Sequence, residues 1–408
     1  MHYGLVAPEL HGHLNPITTL GAELARRGHQ VTVLGSQRGR PFAERAGLGW
    51  AAMNDNDQIS KGWDRLGELS GLAAMRFTGQ LLTRTMQSTL EQAPGVIAEQ
   101  RIDALVVDQL SPAAAVVAER LDLPYAVACN AIAIHVTPEV PPPPLAWSYR
   151  SDFWGRLRNR VGNRLCLTLF TKLSGAKNVD GVTPTMLARL DEPRGAAMVS
   201  QQPACFDFPN HPRPAYFHYT APWHAAGRDR DVPFPWERLD ERRPLVYASL
   251  GTLQNKLKHV YAAIAQAARG LDAQVVLSLG SDTASLDLDP PDNVIIAPFA
   301  PQLRLLERAT AVITHAGLNT TLETLARGLP MLCLPITNDQ PGIASRVKHL
   351  GAGETLSVST ATAQRIRERL DRVLASGSYR AAAQRLQAQF TGINGPAVAA
   401  DIIERAVG

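Results

Sequence analysis

Short apolar runs alternate with helical segments in two separate halves of this sequence. The predicted strands are 2–7, 30–34, 104–108 and 125–129 in the first half, and 245–249, 274–278, 294–297, 311–314 and 331–334 in the second. Helices are predicted between them, among others over 16–27, 113–121 and 259–268. Continuous apolar strands that alternate with helices are typical of parallel sheets covered on both faces. The pattern therefore predicts an α/β protein with two Rossmann-like halves.

A stretch rich in proline and charge separates the two halves. Residues 223–243 contain helix breakers and little periodicity, as an interdomain connection does. We expect an N-terminal domain over 1–222, a C-terminal domain over 244–390, and a terminal segment over 391–408 that is helical. With 408 residues and 45% hydrophobic composition, the chain is long enough for two cores.

Charge and cysteine content exclude several classes of protein. Lys and Arg exceed Asp and Glu by 41 to 37, so the net charge is too small to predict a nucleic-acid partner. The cysteines are widely separated and form no CxxC pair, which is typical of reduced cytosolic proteins; they are Cys129, Cys166, Cys205 and Cys333. The first residues lack a basic start and a long apolar core. Neither export nor a membrane span is expected, and a cytoplasmic location is predicted.

The run from Ala311 to Glu323 predicts an anion site. A β-branched strand over 311–314 is followed by Gly317, which permits a tight turn, and by Asn319, which can cap a helix that begins at Thr320. The N-terminus of a helix attracts anions through its unpaired N–H groups and its dipole. His315 adds a donor beside it, so a diphosphate is the expected ligand.

The stretch from Phe299 to Gln340, which contains this run, resembles the donor-binding box of the family-1, UDP-glycosyltransferase-like enzymes. The matching positions are Pro301, Gln302, His315, Gly317, Asn319, Glu323, Gly328, Pro330, Pro335, Asp339 and Gln340. The resemblance implies the GT-B architecture, in which two Rossmann-like domains with parallel sheets face each other across a cleft that holds the active site. It also implies that the last helix crosses back to the first domain.

By this resemblance, the second half binds a nucleotide sugar. The resemblance assigns the base to Phe299, Ala300 and Gln302, the ribose to Glu323, the phosphates to His315, Asn319 and Thr320, and the sugar hydroxyls to Asp339 and Gln340. Gly317 belongs to the same donor-binding set. Phe299 stands where the plant enzymes have a tryptophan. Since phenylalanine also offers a flat apolar face, both UDP-glucose and dTDP-glucose stay open as donors, with UDP-glucose favoured.

Small residues that follow the strand over 245–249 form a second candidate phosphate contact. Ser249, Gly251 and Thr252 would let backbone and hydroxyl groups approach a phosphate. Alone this signal is weak, because Ser and Gly are common at strand ends. The run also lacks the first glycine of a hydrolase nucleophile elbow, which disfavours a serine hydrolase.

The segment from Gly12 to Pro16 contains the candidate general base. Pro16 suits the first position of a helix and Asn15 its cap, which would leave His13 on the preceding loop. The resemblance assigns the family's catalytic histidine to His13, with His11 as the alternative. It assigns the carboxylate that orients the histidine to Asp108, which ends the strand over 104–108. Asp108 could instead cap the helix that follows.

Metal chemistry is not expected. His11 and His13 have the spacing of a metal pair, but no third ligand is evident nearby. Three Asp-x-Asp tripeptides, at 55–57, 229–231 and 287–289, do not directly follow apolar strands and are interpreted as solvated loops. We predict no cofactor, with the nucleotide sugar as a co-substrate.

Residues 150–177 combine basic side chains with an apolar stripe. Seven basic residues stand against Asp152 alone, and apolar residues recur at steps of four from Phe153 to Leu173. This pattern suits an amphipathic helix on anionic lipid, hence peripheral contact with the inner face of the membrane. It also suits an ordinary helix of the acceptor domain with a solvated face, which is the favoured interpretation.

Three short motifs, at 107–114, 206–209 and 338–342, are similar to those of bacterial glucosyltransferases that act on carotenoids such as zeaxanthin. The resemblance thus implies inverting, metal-independent transfer of glucose to a hydroxyl of a lipophilic acceptor, with a carotenoid favoured. Macrolide, flavonoid and sterol acceptors stay open. A nucleotide-sugar epimerase and a non-catalytic binding protein are the alternatives of another class.

Overall fold

The structure is a computed structural model, which describes residues 1–53, 57–66, 71–173, 179–180, 182, 196–225, 227–251, 257–280 and 290–408. The chain divides into two compact units. The first contains Met1–Pro142, Arg150–Ala225 and Gly392–Gly408, and the second contains Pro143–Tyr149 and Ala226–Thr391. The stretch predicted as a linker, 223–243, is divided between the two units, and seven residues from the first half of the sequence belong to the second unit.

A parallel sheet of seven strands lies at the centre of the first unit. Its strands are β1 (His2–Val6), β2 (Gln30–Gly35), β3 (Gly49–Ala52), β4 (Ala104–Asp108), β5 (Tyr125–Cys129), β6 (Ala197–Ser200) and β7 (Phe217–Tyr219). They are arranged in the order β3-β2-β1-β4-β5-β6-β7. The neighbouring strands β1 and β4 pair in register from Tyr3 with Ala104 to Val6 with Val107.

The second unit repeats this plan with six parallel strands. They are β8 (Leu245–Ser249), β9 (Gln274–Ser278), β10 (Val294–Ala297), β11 (Ala311–Thr314), β12 (Met331–Cys333) and β13 (Gly353–Thr355). Their order is β10-β9-β8-β11-β12-β13. In both sheets the first strand of the unit lies inside the sheet. The chain crosses to its other side after β3 or after β10, so that the switch point lies between the neighbours β1 and β4 or between β8 and β11. Such a switch point is where ligands of open α/β sheets bind.

Helices cover both sheets. Those of the first unit are α1 (His11–Arg26), α2 (Arg40–Arg45), α3 (Asp57–Leu66), α4 (Gly71–Gln100), α5 (Pro112–Arg120), α6 (Phe153–Leu173) and α13 (Gly395–Val407). Those of the second are α7 (Lys258–Ala267), α8 (Gln302–Leu306), α9 (Leu318–Ala326), α10 (Gln340–His349), α11 (Ala363–Ala375) and α12 (Gly377–Phe390). None of the helices in the described ranges has the length and apolarity needed to cross a bilayer.

Side chains alternate between the two faces of a strand, and in the first sheet the side chains on both faces are apolar. On β4, Leu105 and Val107 pack into one cluster, which also contains residues of α4 and α5. Ala104 and Val106 pack on the other face, with residues of α1 and α13. All four are at most 1% exposed. This two-sided burial is why the strands are continuous apolar runs in the sequence.

Helix α13 closes one face of this sheet. Its residues Ala399, Ala400 and Ile403 are fully buried against the sheet. Arg27, directly after α1, donates to Asp401 at 2.5 Å, to Glu404 at 2.7 Å and to the carbonyl of Ala397 at 2.9 Å. The carboxyl end of the chain is thereby held on the first unit, although it follows the second unit in sequence.

The start of helix α1 differs from the sequence prediction. Helix α1 begins at His11 and not at Pro16, and Pro16 lies inside it. A proline removes one helical hydrogen bond, yet here the turn before it is helical, with His13 and Leu14 donating to the carbonyl of Leu10 at 2.9 Å. His13 therefore lies in the first turn of a helix and not on a loop.

Helix α6 differs from the sequence prediction in which of its sides is packed. The favoured interpretation of residues 150–177 placed the apolar stripe on the packed side and the basic residues in solvent. In the structure the stripe residues Phe153, Leu157, Val161, Leu165 and Leu169 are all exposed. The packed side consists of small and polar residues instead, namely Gly155, Asn159, Gly162 and Asn163.

Candidate active site

His13 and Asp108 meet at the switch point of the first sheet. His13 follows β1 in the first turn of α1, and Asp108 is the last residue of the neighbouring strand β4. The Nδ1 atom of His13 lies 2.8 Å from Oδ2 of Asp108. Asp108 is completely buried, whereas the side chain of His13 is 12% exposed. One edge of the imidazole is therefore held by a buried carboxylate, while the ring keeps access to solvent.

Asp108 receives two further donors. The Nδ2 atom of Asn130 donates to Oδ2 at 2.6 Å, and the backbone N–H of Leu110 donates to Oδ1 at 2.7 Å. Of the two roles that the sequence offered for Asp108, the contact with a histidine is present. The alternative role as a helix cap is not, because the N-cap of α5 is Ser111 and Leu110 precedes that helix. Hydrogen bonds from three groups thus offset the burial of this carboxyl group.

Asn130 was missed in the sequence. It directly follows β5 and is 2% exposed, and its backbone carbonyl accepts from Nε2 of Gln201 at 2.6 Å. Since β5 is the neighbour of β4, the carboxyl-end rule that selected Asp108 could also have selected Asn130. An asparagine after a strand is common in turns, however, and carries no chemistry of its own.

His11 has a different environment. It is exposed, and its ring packs edge-on against Phe42 of α2 with the ring centroids 5.0 Å apart. Because His13 bonds to Asp108 and His11 packs on Phe42, the two histidines serve different contacts. No group of three His, Cys, Asp or Glu side chains suited to a metal ion is found in the described ranges.

A small apolar cavity lies at the carboxyl edge of the first sheet. It is lined by the carboxyl ends of β1 and β2, by the turn after β4, and by residues of α3, α4 and α5. The main apolar contributors are Val6, Leu34, Ile59, Trp63, Leu82 and Met86. Its polar rim includes Glu9, which accepts from the backbone N–H and the hydroxyl of Ser36. The volume of the cavity is about 40 Å³, which is room for an apolar group and not for a whole small molecule.

In the second unit, His315 occupies the switch point between β8 and β11. It follows β11 and its ring is enclosed by two glycines: a Cβ atom added at Gly251 would lie 2.7 Å from its Cε1, and one at Gly317 would lie 2.5 Å from its Nε2. Burial lowers the pKa of His315 to about 4, and the backbone of Ser249 partly opposes this effect. The ring is thus neutral near pH 7 and can donate one N–H.

The tight turn between β11 and α9 is made by Ala316 and not by Gly317. Ala316 has φ +64°, a left-handed conformation that is rare for alanine, whereas Gly317 has φ −65° and is the N-cap of α9. Glycine is required at 317 because of the close approach of the His315 ring. The sequence prediction named the right glycine for the wrong reason.

Helix α9 begins at Leu318, two residues before the predicted start. Asn319 and Thr320 therefore lie in its first turn, where backbone N–H groups lack acceptors within the helix. Both side chains are partly exposed there. The predicted phosphate-binding element, a helix N-terminus after a strand of a parallel sheet, is present, but Asn319 is not its cap.

Glu323 is buried, at 3% exposed, and paired with a residue that the sequence did not single out. Arg228 donates to its two oxygens at 2.6 and 3.0 Å, and Nε2 of Gln302 also donates to Oε2. Burial lowers the pKa of Arg228, but the ion pair with Glu323 outweighs this and raises it above its usual value. Arg228 lies in the stretch read as a linker, and no sequence signal marks its partner 95 residues away.

The neighbouring Asp229 has a structural role. Its Oδ2 accepts from the backbone N–H of Leu303 at 2.6 Å, in the first turn of α8. Asp229 is 7% exposed, so the interpretation of this Asp-x-Asp tripeptide as a solvated loop is wrong for its first residue. Asp55 and the tripeptide at 287–289 lie outside the described residues, as does Thr252.

The remaining predicted donor residues lie at the same edge of the second sheet. Phe299 and Ala300 follow β10 and are half-buried, and Gln302 opens α8, where its Oε1 accepts from the hydroxyl of Tyr247 at 3.1 Å. Ser249 ends β8, and its hydroxyl accepts from the N–H of Gly251 at 3.3 Å.

Asp339 and Gln340 lie at the start of α10. Asp339 is the N-cap and Gln340 the first helical residue. The Oε1 atom of Gln340 accepts from the backbone N–H groups of Ile336 and Thr337 at 2.8 and 3.0 Å. Because its oxygen holds this turn, Nε2 is the atom of Gln340 that a sugar hydroxyl could use.

Comparison with known proteins agrees with this arrangement. The model of the family described as "UDP-glucoronosyl and UDP-glucosyl transferase" matches residues 89–390. The chain belongs to this family. A zeaxanthin glucosyltransferase of Pseudescherichia vulneris is 30% identical to it, with 100% of this chain and 98% of the relative covered. One from Pantoea ananas is 27% identical over 99% of this chain and 95% of the relative. The resemblance inferred from the sequence is thus confirmed, and the protein is a glycosyltransferase.

Solved structures show the same fold. A glycosyltransferase of kitacinnamycin has a TM-score of 0.72 at 22% identity and covers 100% of this chain and 99% of its own. The calicheamicin glycosyltransferase CalG4 has a TM-score of 0.71 at 22% identity, covering 100% and 98%. The predicted GT-B fold class, with two Rossmann-like domains of parallel strands, is confirmed.

The contact between Asn130 and Asp108 leads to a first prediction. Replacing Asn130 by alanine removes one donor from the carboxylate, and the loss of a hydrogen bond to a charged group, about 1.5–3 kcal/mol, should lower kcat at least about tenfold. The dissociation constant for UDP should not change. Steady-state kinetics and calorimetry measure the two quantities. Asn163→Ala, which removes another buried amide of the same unit, is the control; equal losses in both variants would contradict the prediction.

The environment of His315 leads to a pH prediction. Since its pKa in the folded protein is lowered from 6.5 to about 4, the unfolded chain binds the proton more readily. The stabilising effect of the neutral ring is complete above about pH 6.5 and is lost as the pH falls towards 4. At pH 5 we expect a loss of about 1 kcal/mol, allowing for partial exposure. The thermal midpoint should therefore fall more between pH 7 and 5 in the wild type than in His315→Gln; parallel falls would contradict this.

Proposed function

We propose that this glycosyltransferase transfers glucose from UDP-glucose to a hydroxyl of a lipophilic small molecule, with inversion at the anomeric carbon and without a metal ion. His13 removes the proton of the acceptor hydroxyl while its oxygen forms a bond to the anomeric carbon. The bond from that carbon to the diphosphate breaks at the same time, and UDP leaves. The observation that carries the proposal is the hydrogen bond between His13 and the buried Asp108.

This pair has the properties of a general base and its orienting carboxylate. Asp108 accepts a hydrogen bond from Nδ1–H of His13. The neutral ring therefore carries its proton on Nδ1, and Nε2 is the atom that accepts the proton of the hydroxyl. When Nε2 takes the proton, the negative charge of Asp108 stabilises the imidazolium. Such general-base catalysis contributes about 10²- to 10⁴-fold to a rate.

The donor side supports a nucleoside diphosphate. The first turn of α9 and the N–H of a neutral His315 offer donors to the phosphates, which stabilise the charge that develops on the leaving group. Glu323 is paired with Arg228, and a carboxylate has about four acceptor sites. Arg228 and Gln302 use three of them, which leaves capacity for a ribose hydroxyl. Phe299 offers its ring to the base; both UDP and dTDP fit this role, and we favour UDP from the family.

The acceptor assignment rests on two independent observations. The small cavity at the carboxyl edge of the first sheet is lined mainly by aliphatic and aromatic side chains, which favours an acceptor with apolar groups. Two relatives that align with nearly the whole chain are named zeaxanthin glucosyltransferases. We therefore favour a hydroxylated carotenoid such as zeaxanthin over macrolides, flavonoids and sterols.

The direct test is mass spectrometry of products from paired substrates. UDP-glucose, UDP-galactose and dTDP-glucose are each incubated with zeaxanthin, a flavonol and a macrolide. We expect hexosylated zeaxanthin from UDP-glucose as the main product. Replacing His13 by alanine should lower the transfer rate at least about 10²-fold and leave UDP affinity unchanged, as measured by calorimetry.

Other outcomes of these reactions identify other functions. A His13→Ala variant with full turnover would refute its role as the base. Conversion of the donor to an isomeric sugar in the absence of acceptor would indicate a nucleotide-sugar epimerase. Donor binding without any product in the whole panel would indicate a binding protein.

Gln340 offers a sharper test of the sugar contact. Gln340→Glu keeps an oxygen for the N–H groups of Ile336 and Thr337 but removes the amide donor. We expect kcat/KM for UDP-glucose to fall by about tenfold, as for the loss of one hydrogen bond, with unchanged thermal stability and UDP affinity. Gln340→Ala, which also releases the turn, should lower the thermal midpoint as well. Unchanged kcat/KM in Gln340→Glu would exclude the contact.

A further inference from the structure

Helix α6 (Phe153–Leu173) turns its apolar residues outward. Phe153 is 70% exposed, Trp154 67% and Val161 59%. The remaining exposed apolar residues of the helix continue the stripe at steps of four; they are Leu157, Leu165 and Leu169. Steps of four lie side by side along a helix, so these side chains form one continuous band.

The opposite side of α6 attaches the helix to the first unit through polar contacts. The side-chain amide of Asn159 donates to the carbonyl of Pro138 at 3.1 Å, and that of Asn163 donates to the carbonyl of Thr137 at 2.9 Å. Gly155 and Gly162 are buried on the same side. The helix thus packs on the first unit through its glycines and its hydrogen-bonded asparagines. The apolar band lies on the opposite side and does not take part in this packing.

The concentration of exposed apolar residues on one helix is unusual for this protein. Ten large apolar side chains are exposed in the described ranges, and six of them belong to α6. Single exposed apolar residues are normal on a soluble protein, whereas a contiguous patch marks an interaction surface. Phe153 and Trp154 pack edge-to-face at one end of the band, with centroids 5.3 Å apart.

A row of arginines runs beside the band. Arg156, Arg160 and Arg164 each precede one of its residues, and all three are exposed. Within the described part of the chain, none of them forms an ion pair. Like charges at steps of four repel one another on an isolated helix, so this row is better accounted for by an anionic partner than by helix stability.

We propose that this surface, the α6 face, docks on an anionic lipid bilayer. The α6 face comprises Phe153, Trp154, Leu157, Val161, Leu165 and Leu169 together with Arg156, Arg160 and Arg164. The apolar band enters the boundary between headgroups and acyl chains, where tryptophan is favoured. The arginines pair with lipid phosphates at the edge of the band. This inference rests on the exposed helix alone and does not depend on the identity of the donor or acceptor.

The test is co-sedimentation of the full chain with vesicles of phosphatidylcholine, with and without phosphatidylglycerol. We expect binding to the mixed vesicles, weak binding to pure phosphatidylcholine, and release as salt is raised. The tryptophan emission should shift to shorter wavelength on binding. Binding that is absent from both vesicle types, or equal on both, would overturn the proposal.

Two sets of variants separate the apolar and the electrostatic contributions. Arg156→Gln, Arg160→Gln and Arg164→Gln combined should weaken binding to mixed vesicles roughly 100-fold, as for three basic residues at an anionic surface. Phe153→Ser, Trp154→Ser and Val161→Ser combined should abolish binding. These side chains are exposed, so the thermal midpoint should stay within a few degrees of the wild type.

The matched control removes the same charge elsewhere. Arg101, Arg365 and Arg385 are exposed and lie on other helices or turns, and their combined change to Gln should leave vesicle binding intact. An equal loss in the control would mean that net charge alone governs binding, and would overturn the proposal. A wild type that sediments as a dimer, and becomes monomeric in the serine variant, would instead assign the α6 face to a second copy of the chain.

Discussion

The first unit depends on one constraint, which is that a buried carboxylate must be satisfied. Asp108 has no exposed surface, and within the described part of the chain its side chain bonds to His13, Asn130 and the backbone of Leu110. These donors follow three adjacent strands of one sheet, and the parallel arrangement brings their carboxyl ends to one edge. The requirement for hydrogen bonds therefore fixes the orientation of the imidazole, and the sheet topology decides which residues can supply them.

The second unit also has a histidine at its switch point, but no carboxylate is bonded to that ring among the described residues. Its switch point holds a neutral imidazole, enclosed by Gly251 and Gly317, next to the N-terminus of α9. A positive charge is not needed on the ring, because backbone N–H groups and the helix dipole already favour an anion. The left-handed Ala316 directs the chain from β11 into the helix. Both units thus place a histidine where the order of parallel strands reverses.

The α6 face shows how a sequence pattern can be right about composition and wrong about orientation. Apolar residues at steps of four normally indicate the packed side of a helix, because burial of apolar surface stabilises a fold. On α6, Asn159 and Asn163 bond to carbonyls of Pro138 and Thr137, and this polar side is the one that packs. Periodicity alone does not state which side of a helix meets the protein.

The sequence by itself determined the central strands, the α/β class and the candidate residues at strand ends, because buried parallel strands are continuous apolar runs and their carboxyl ends carry polar turns. The short edge strands, such as β3 and β13, are too brief and glycine-containing to be recognised in this way. Only the tertiary structure decided the contact partners, Asn130 for Asp108 and Arg228 for Glu323. It also decided which side of α6 faces outward. These contacts join residues distant in sequence, and long-range pairing leaves no local pattern from which it could be predicted.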